Sequence, residues 1–159
     1  MPLDNVICLA RRAVQAVSDV ATPESRAMRI VLPPIAGVAV LALLWLSGAM
    51  AAADLAHPFW QTRATLAGGG AGAAVALGLL ALAGRRGRRL RVLLAAALVG
   101  LAAAGLVTWR AARVFIDSPD FEPLAGKLWF LGYHALAALI VIAIALALAA
   151  RSHRQGPLA

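Results

Sequence analysis

Four apolar stretches, each long enough to cross a bilayer as a helix, dominate the sequence. They cover residues 33–53, 64–83, 90–109 and 128–150. About 20 residues of α-helix rise about 30 Å, which is the thickness of the hydrocarbon core. The segments must be helical, because lipid cannot satisfy the backbone groups of an open strand edge. The sequence therefore predicts an all-α integral membrane protein, a four-helix bundle with the lipid bilayer as its first partner.

Composition supports a single membrane domain and argues against two other classes of site. Hydrophobic residues make up 62% of the 159 residues, whereas a soluble domain is nearer half apolar. Outside the membrane domain at 33–150 there is no room for a second folded domain. Cys8 is the single cysteine, so no internal disulfide is available, and no Cys/His spacing suits zinc. The sequence predicts no metal site, and its motifs identify no particular cofactor.

The segment 1–32 differs from the rest in being amphipathic. Apolar residues recur at helical spacing over residues 3–20, with polar residues mostly on the other side. The run is too short and too polar to span, so it predicts a helix lying in the cytoplasmic interface, with Arg11 and Arg12 toward anionic headgroups. A helix packed on a partner protein is the alternative.

Two proline signals precede the first span. Thr22-Pro23-Glu24 predicts a helix start, because it combines a capping hydroxyl, a proline in the first turn and an acid near the N-terminus. Pro33-Pro34 predicts either a kink or a fresh helix start.

The distribution of basic residues predicts the orientation. Cytoplasmic loops of membrane proteins carry an excess of Arg and Lys. Eleven arginines fall in the N-terminal segment, in the loop GRRGRRLR at 84–91 and in the tail at 151–159, whereas four basic residues fall on the other side. Both termini are thus expected in the cytoplasm, in what the Arg- and Ala-rich composition suggests is a bacterial inner membrane. The net charge of +8 is explained by this pattern, so no nucleic-acid partner is expected.

A signal peptide is the rival interpretation of the first span. Ser47-Gly48-Ala49-Met50-Ala51 resembles a small-residue cleavage site after an apolar run. The long, partly helical segment before the run and the length of the run favour an uncleaved span.

Small residues predict how two of the spans pack. A row four residues apart lies on one face of the second span, and a similar row lies on the third. Such rows let helix backbones approach closely in lipid. Because a short loop joins the two spans, we expect them to pack on each other along Gly68, Gly72 and Ala76 on one side and Gly100 and Ala104 on the other.

Polar side chains collect on the non-cytoplasmic side and form the candidate site. His134 lies about two turns inside the fourth span, and an ionisable group at membrane depth suggests function. Its partner is expected from the third span or from the end of the first. The alternative is a neutral imidazole bonded to a backbone carbonyl. The candidate polar site comprises His134, Arg110, Arg113, Asp54, His57 and Lys127.

Three other features on this side have plain structural interpretations. Trp60, Trp109, Trp129 and Tyr133 are typical of an aromatic belt at the membrane interface. Arg113 could pair with Asp117 at i, i+4 if the helix continues. The acids of the loop before the fourth span could hold a hard cation, but the loop lacks the ligand count of a calcium site.

Three segments carry a resemblance to a known group. Residues 88–115 and 126–151 resemble the last helix pair of copper-resistance-D-type and related uncharacterised bacterial membrane domains, with an Arg-rich entry, an aromatic-Arg exit and a Lys opening the last helix. LLWLSG at 43–48 is similar to that group's Trp-small-Gly motif. The resemblance implies a membrane-embedded helix pair with copper or haem handling, although Gly37 stands about where that group has a histidine.

Two functions remain open on the sequence. The first is a non-enzymatic accessory or scaffold subunit that binds a membrane-protein partner or another copy through Gly/Ala helix faces. The second is a small transport or cofactor module for copper, haem or quinone, with an outward-facing site around His134. No nucleophile–base set is visible in the sequence, so catalytic residues are not predicted.

Overall fold

A computed structural model of the chain describes residues 23–57, 59–84 and 87–152, with side chains from Ala27 onward. The amphipathic helix predicted at residues 3–20 lies outside this part of the chain. The helices are α1 Pro23–Leu46, α2 Ala49–Ala52, α3 Gln61–Ala83, α4 Gly87–Asp117 and α5 Pro123–Ser152. The four long helices α1, α3, α4 and α5 are each apolar enough to cross a membrane, as predicted.

The first span is shifted toward the N-terminus relative to its predicted bounds. Helix α1 begins at Pro23, where the Thr-Pro-Glu sequence predicts a start, and it runs through Pro33 and Pro34. A fresh helix start at Pro33 is therefore wrong. The helix ends at Leu46 because Gly48 takes a left-handed conformation with φ of 73°.

The third and fourth spans extend beyond their apolar cores. Helix α4 continues to Asp117, past the predicted end at Trp109, and α5 begins at Pro123, five residues before the predicted start. Proline suits the first turn of a helix, where its missing N–H leaves no bond unmade. At 31 and 30 residues, both helices are longer than a hydrocarbon core requires.

Helix α5 is the central element of the fold. In its most apolar 18-residue stretch 44% of the residues are buried, compared with 11% in α4. It packs on each of the other three long helices. Glycine makes two of these contacts very close: a Cβ built on Gly37 of α1 would lie 2.7 Å from the carbonyl oxygen of Val141, and one on Gly132 would lie 2.5 Å from Oγ1 of Thr108 in α4.

The predicted contact between the second and third spans is wrong. Gly68 and Gly72 of α3 face the backbone of α5 at His134 and Ala138. Ala76 of α3 is buried in a cluster that includes apolar residues of α5. Gly100 of α4 also faces α5, at Leu139, while Ala104 packs at the edge of a cluster that includes Leu136. Helices α3 and α4 hardly touch each other. A small-residue row permits close approach to any helix, and α5 supplies the facing surface for both rows.

Two ends of the molecule are distinguished by the loops that meet there. The aromatic end is formed by residues 47–57, 59–60 and 118–122 with the adjoining helix turns. The arginine end is formed where α3 ends at Ala83 and α4 begins at Gly87, and there Ile30 of α1, Leu90 of α4 and Ala149 of α5 share one apolar cluster. The four long helices thus alternate in direction.

Candidate functional site

A cluster of aromatic rings closes the aromatic end of the helix assembly. His57 and Trp60 stack with their planes 10° apart and their centroids 5.0 Å apart. Trp60 in turn makes edge-on contacts with Trp129, Phe130 and Tyr133, at centroid distances of 5.7, 5.1 and 5.6 Å. Edge-on pairs place the positive ring edge against the negative ring face, which stabilises this arrangement beyond burial alone.

Trp129 ties the loop after α2 to the start of α5. Its indole N–H donates a hydrogen bond of 2.7 Å to the carbonyl of Leu55, and only 4% of the residue is exposed. Tyr133, one turn further along, is completely buried. An interfacial belt was predicted for both residues; their rings are buried inside the protein, where Trp129 packs with Ala111 and Ala112 of α4 and Tyr133 packs with Ala64 of α3. Trp109, which is 39% exposed, keeps the exposure that a belt residue needs.

A buried hydroxyl pair lies beneath the aromatic rings. The hydroxyls of Thr65 on α3 and Tyr133 on α5 lie 2.9 Å apart and are both buried. In an apolar interior each hydroxyl needs a partner, and these two satisfy each other. The sequence analysis missed Thr65. Thr65 could have been singled out from the sequence, because it is the sole hydroxyl residue among the small and apolar residues 64–83.

The surroundings of His57 favour its neutral form over the imidazolium. Burial among the aromatic rings lowers the pKa of His57 below its ordinary value of 6.5, because desolvation disfavours the charged imidazolium. Its Nδ1 accepts a hydrogen bond of 3.3 Å from the backbone N–H of Phe59, which requires an unprotonated nitrogen. The proton of the neutral ring is therefore on Nε2.

Asp54 and Arg113 form the ion pair of the candidate site. The guanidinium Nη2 donates to a carboxylate oxygen at 2.7 Å, and about half of each side chain is exposed. Asp54 has φ of 55°, a left-handed conformation that Asp tolerates better than most residues. The sequence allowed Arg113 to pair with Asp117 at i, i+4 if α4 continued. The helix does continue, but the carboxylate of Asp54 takes the arginine instead.

His134 has a local partner rather than one from another helix. Its Nδ1 lies 2.8 Å from the carbonyl oxygen of Phe130, one turn earlier on α5, and its ring packs on the Phe130 ring. Within the described part of the chain, no hydrogen bond joins it to Thr108, Arg110, Arg113 or Asp54. Thr108 bonds back to Ala104 on its own helix at 2.6 Å. Among the described residues, a direct hydrogen bond from His134 to the third or first span is therefore not found, and the backbone-carbonyl alternative describes the geometry.

The candidate residues therefore divide into separate groups. Asp54 and Arg113 are joined, His57 belongs to the aromatic cluster, and His134 bonds within α5. Arg110 and Lys127 are exposed and take no part in these contacts. Among residues 23–57, 59–84 and 87–152, no set of three or more His, Cys, Asp and Glu side chains is placed to hold a metal ion.

The aromatic end can thus act as a structural cap. It combines ring packing with three polar contacts: an indole-to-backbone bond and a half-exposed ion pair join the loop after α2 to α5 and α4, and a buried hydroxyl pair joins α3 to α5. Comparison with known proteins finds no protein-family model, no curated protein and no solved structure that matches this chain.

Proposed function

We propose that the chain is a multi-pass protein of the bacterial cytoplasmic membrane that acts as a non-enzymatic accessory or scaffold subunit. In this proposal the four long helices form a membrane-spanning bundle. The arginine end and both termini face the cytoplasm, and the aromatic end faces outward. The excess of arginine in the 84–91 loop, the N-terminal segment and the tail supports this orientation.

A small-residue seam on α3 is the observation that carries the scaffold role. It lies on the side of α3 turned away from α5 and is exposed along its length. A Cβ built on its Gly70 or its Gly78 would meet no atom within 4 Å. The seam consists of Ala67, Gly70, Ala71, Ala74, Gly78 and Ala81.

The seam has the form that helix association in lipid requires. Its positions 67, 71, 74, 78 and 81 alternate steps of four and three, which is the spacing of a helix pair crossing at about +20°. Lipid chains are as apolar as leucine side chains, so association depends on close backbone approach and not on hydrophobic burial. The buried row of α3 is already occupied by α5, and this second row is left for a membrane-protein partner or another copy.

The transport or cofactor module receives less support from the geometry. Such a module needs polar groups that converge on one space, but His134 bonds to its own helix and Arg113 bonds to Asp54. A polar site around His134 would require His134 and Arg113 to break these bonds and to turn toward a common space.

Cysteine cross-linking along the seam tests the scaffold role. In a Cys8→Ser background, Ala74→Cys in native membranes should form a disulfide cross-linked adduct on oxidation. Seams of small residues bring the Cα atoms of two helices near the distance that a disulfide needs. Val99→Cys, equally lipid-facing on α4, is the matched control. Adding Gly78→Leu should abolish the adduct of Ala74→Cys. Equal cross-linking at positions 74 and 99, or no effect of Gly78→Leu, would overturn the proposed role.

Reporter fusions test the orientation separately. A fusion in the 84–91 loop should report the cytoplasm, and a fusion at Asp120 should report the opposite side. The same side for both would overturn the four-span topology, and the reverse assignment would overturn the orientation alone.

A further inference from the structure

An open groove lies between α3 and α4 at the arginine end. Its volume is about 380 Å³, and its apolar lining comes from both helices. It exists because α3 and α4 each pack on α5 and leave the space between themselves unfilled. The lining residues are Leu79, Leu82, Ala83, Arg88, Arg89, Val92 and Leu93.

The groove combines two surfaces of different chemistry. Leu82 is 80% exposed and Val92 is 62% exposed, so the walls present apolar area that the protein itself does not cover. Arg88 and Arg89, in the first turn of α4, are exposed at the same place. An acyl chain is the natural complement of the walls, and an anionic headgroup is the natural complement of two guanidinium groups.

The charged side chains that line the groove are both basic. No acidic residue lies between Asp54 and Asp117, nor anywhere after Glu122. The salt bridge that the described residues contain, Arg113 to Asp54, is at the aromatic end. Arg91 bonds back to the carbonyl of Gly87, which distinguishes it from the two arginines in the groove.

We propose that this groove is a binding site for an anionic phospholipid. One acyl chain lies between the α3 and α4 walls, and the headgroup phosphate accepts hydrogen bonds from Arg88 and Arg89. Basic pockets between membrane helices bind anionic headgroups by this combination of charge and shape. The site goes beyond the scaffold role and depends only on the insertion of the helices in a bilayer.

Lipid titration of the full-length protein tests the site. The protein in detergent is titrated with phosphatidylglycerol or phosphatidylcholine, and retained lipid is counted by native mass spectrometry. We expect tighter binding of phosphatidylglycerol. The double variant Arg88→Gln/Arg89→Gln should weaken it about twenty-five-fold, since each basic residue near an anionic surface contributes a factor of about five.

A matched double variant separates a site from general attraction. Arg63→Gln/Arg110→Gln removes the same charge from two exposed arginines at the aromatic end, and it should leave the affinity unchanged. Equal weakening by both double variants, or no weakening by the first, would overturn the proposal. Every variant is first shown to remain in the membrane after alkaline extraction, so a failure of insertion is distinguished from a failure of lipid binding.

A groove-filling variant tests the acyl-chain part of the site. Val92→Trp keeps every charge but places a large ring in the groove, and it should lower phosphatidylglycerol binding at least fivefold. Leu82→Trp should do the same from the opposite wall. Val99→Trp, on a lipid-facing part of α4 outside the groove, is the control and should have no effect. Unchanged binding in both groove variants would overturn the proposal.

Discussion

Gly72 lies directly against the backbone of Ala138. A Cβ placed on Gly72 would be 2.5 Å from the carbonyl oxygen and 2.7 Å from the Cα of Ala138. Atoms in folded proteins do not approach so closely without bonding, so α3 and α5 are nearer at this point than any side chain would allow. The neighbouring Gly68 has the same relation to the backbone of His134.

Gly72→Ala should therefore separate α3 from α5 and lower the free energy of unfolding by about 1–3 kcal/mol, the usual cost of overpacking. Gly70→Ala is the control, because nothing lies within 4 Å of a Cβ there and alanine favours helix over glycine. Thermal unfolding in detergent measures both. A Gly72→Ala protein as stable as Gly70→Ala would contradict the close contact.

The hydroxyl pair of Thr65 and Tyr133 should behave as one unit. Thr65→Val or Tyr133→Phe alone leaves the other hydroxyl buried without a partner and should cost about 1–2 kcal/mol of unfolding free energy. The double variant should cost less than the sum by at least about 0.5 kcal/mol, since it removes both polar groups together. Thermal or denaturant unfolding of the four proteins gives the coupling, and strict additivity would show that the hydroxyls do not interact.

The pH dependence of stability should depend in part on His57. Its pKa is below 6.5 in the folded protein because of burial, so the unfolded chain takes up the proton first as the pH falls. Stability contributed by the neutral ring is present above pH 6.5 and is lost as the pH falls through the lowered pKa. The melting temperature should therefore fall more between pH 7.5 and pH 5.5 in the native protein than in His57→Gln. Because the other two histidines remain in both proteins, equal falls would show that His57 does not titrate as described.

His134→Leu should leave membrane insertion intact and change the unfolding free energy by less than about 1 kcal/mol. The ring bonds to a carbonyl of its own helix, so its removal leaves no group on another helix without a partner. Alkaline extraction and thermal unfolding provide the measurements. A loss of several kcal/mol would indicate that His134 takes a partner from another helix, as the sequence analysis expected.

Hydropathy along the chain was sufficient to predict four helices long and apolar enough to span a membrane, because length and apolarity are local properties of the sequence. Boundaries were predicted less well where polar turns continue a helix. Helix α4 reaches Asp117 and α5 starts at Pro123 because backbone hydrogen bonding continues after apolar character has ended. The break after Leu46 depends on the left-handed conformation of Gly48, which hydropathy does not indicate.

The candidate site was predicted in its composition but not in its contacts. The pairing of Arg113 with Asp54 joins residues 59 positions apart, and that of Thr65 with Tyr133 joins residues 68 apart. The identities of Gly68, Gly72 and Gly100 indicated close helix packing, yet their partner is α5 in every case. A row of small residues determines how closely another helix can pack, but it does not determine which helix packs there. In lipid, the hydrophobic effect does not favour one apolar helix over another as the partner. Only the tertiary structure, in which α5 supplies the facing surface for three helices at once, decided that choice and left the groove between α3 and α4 open.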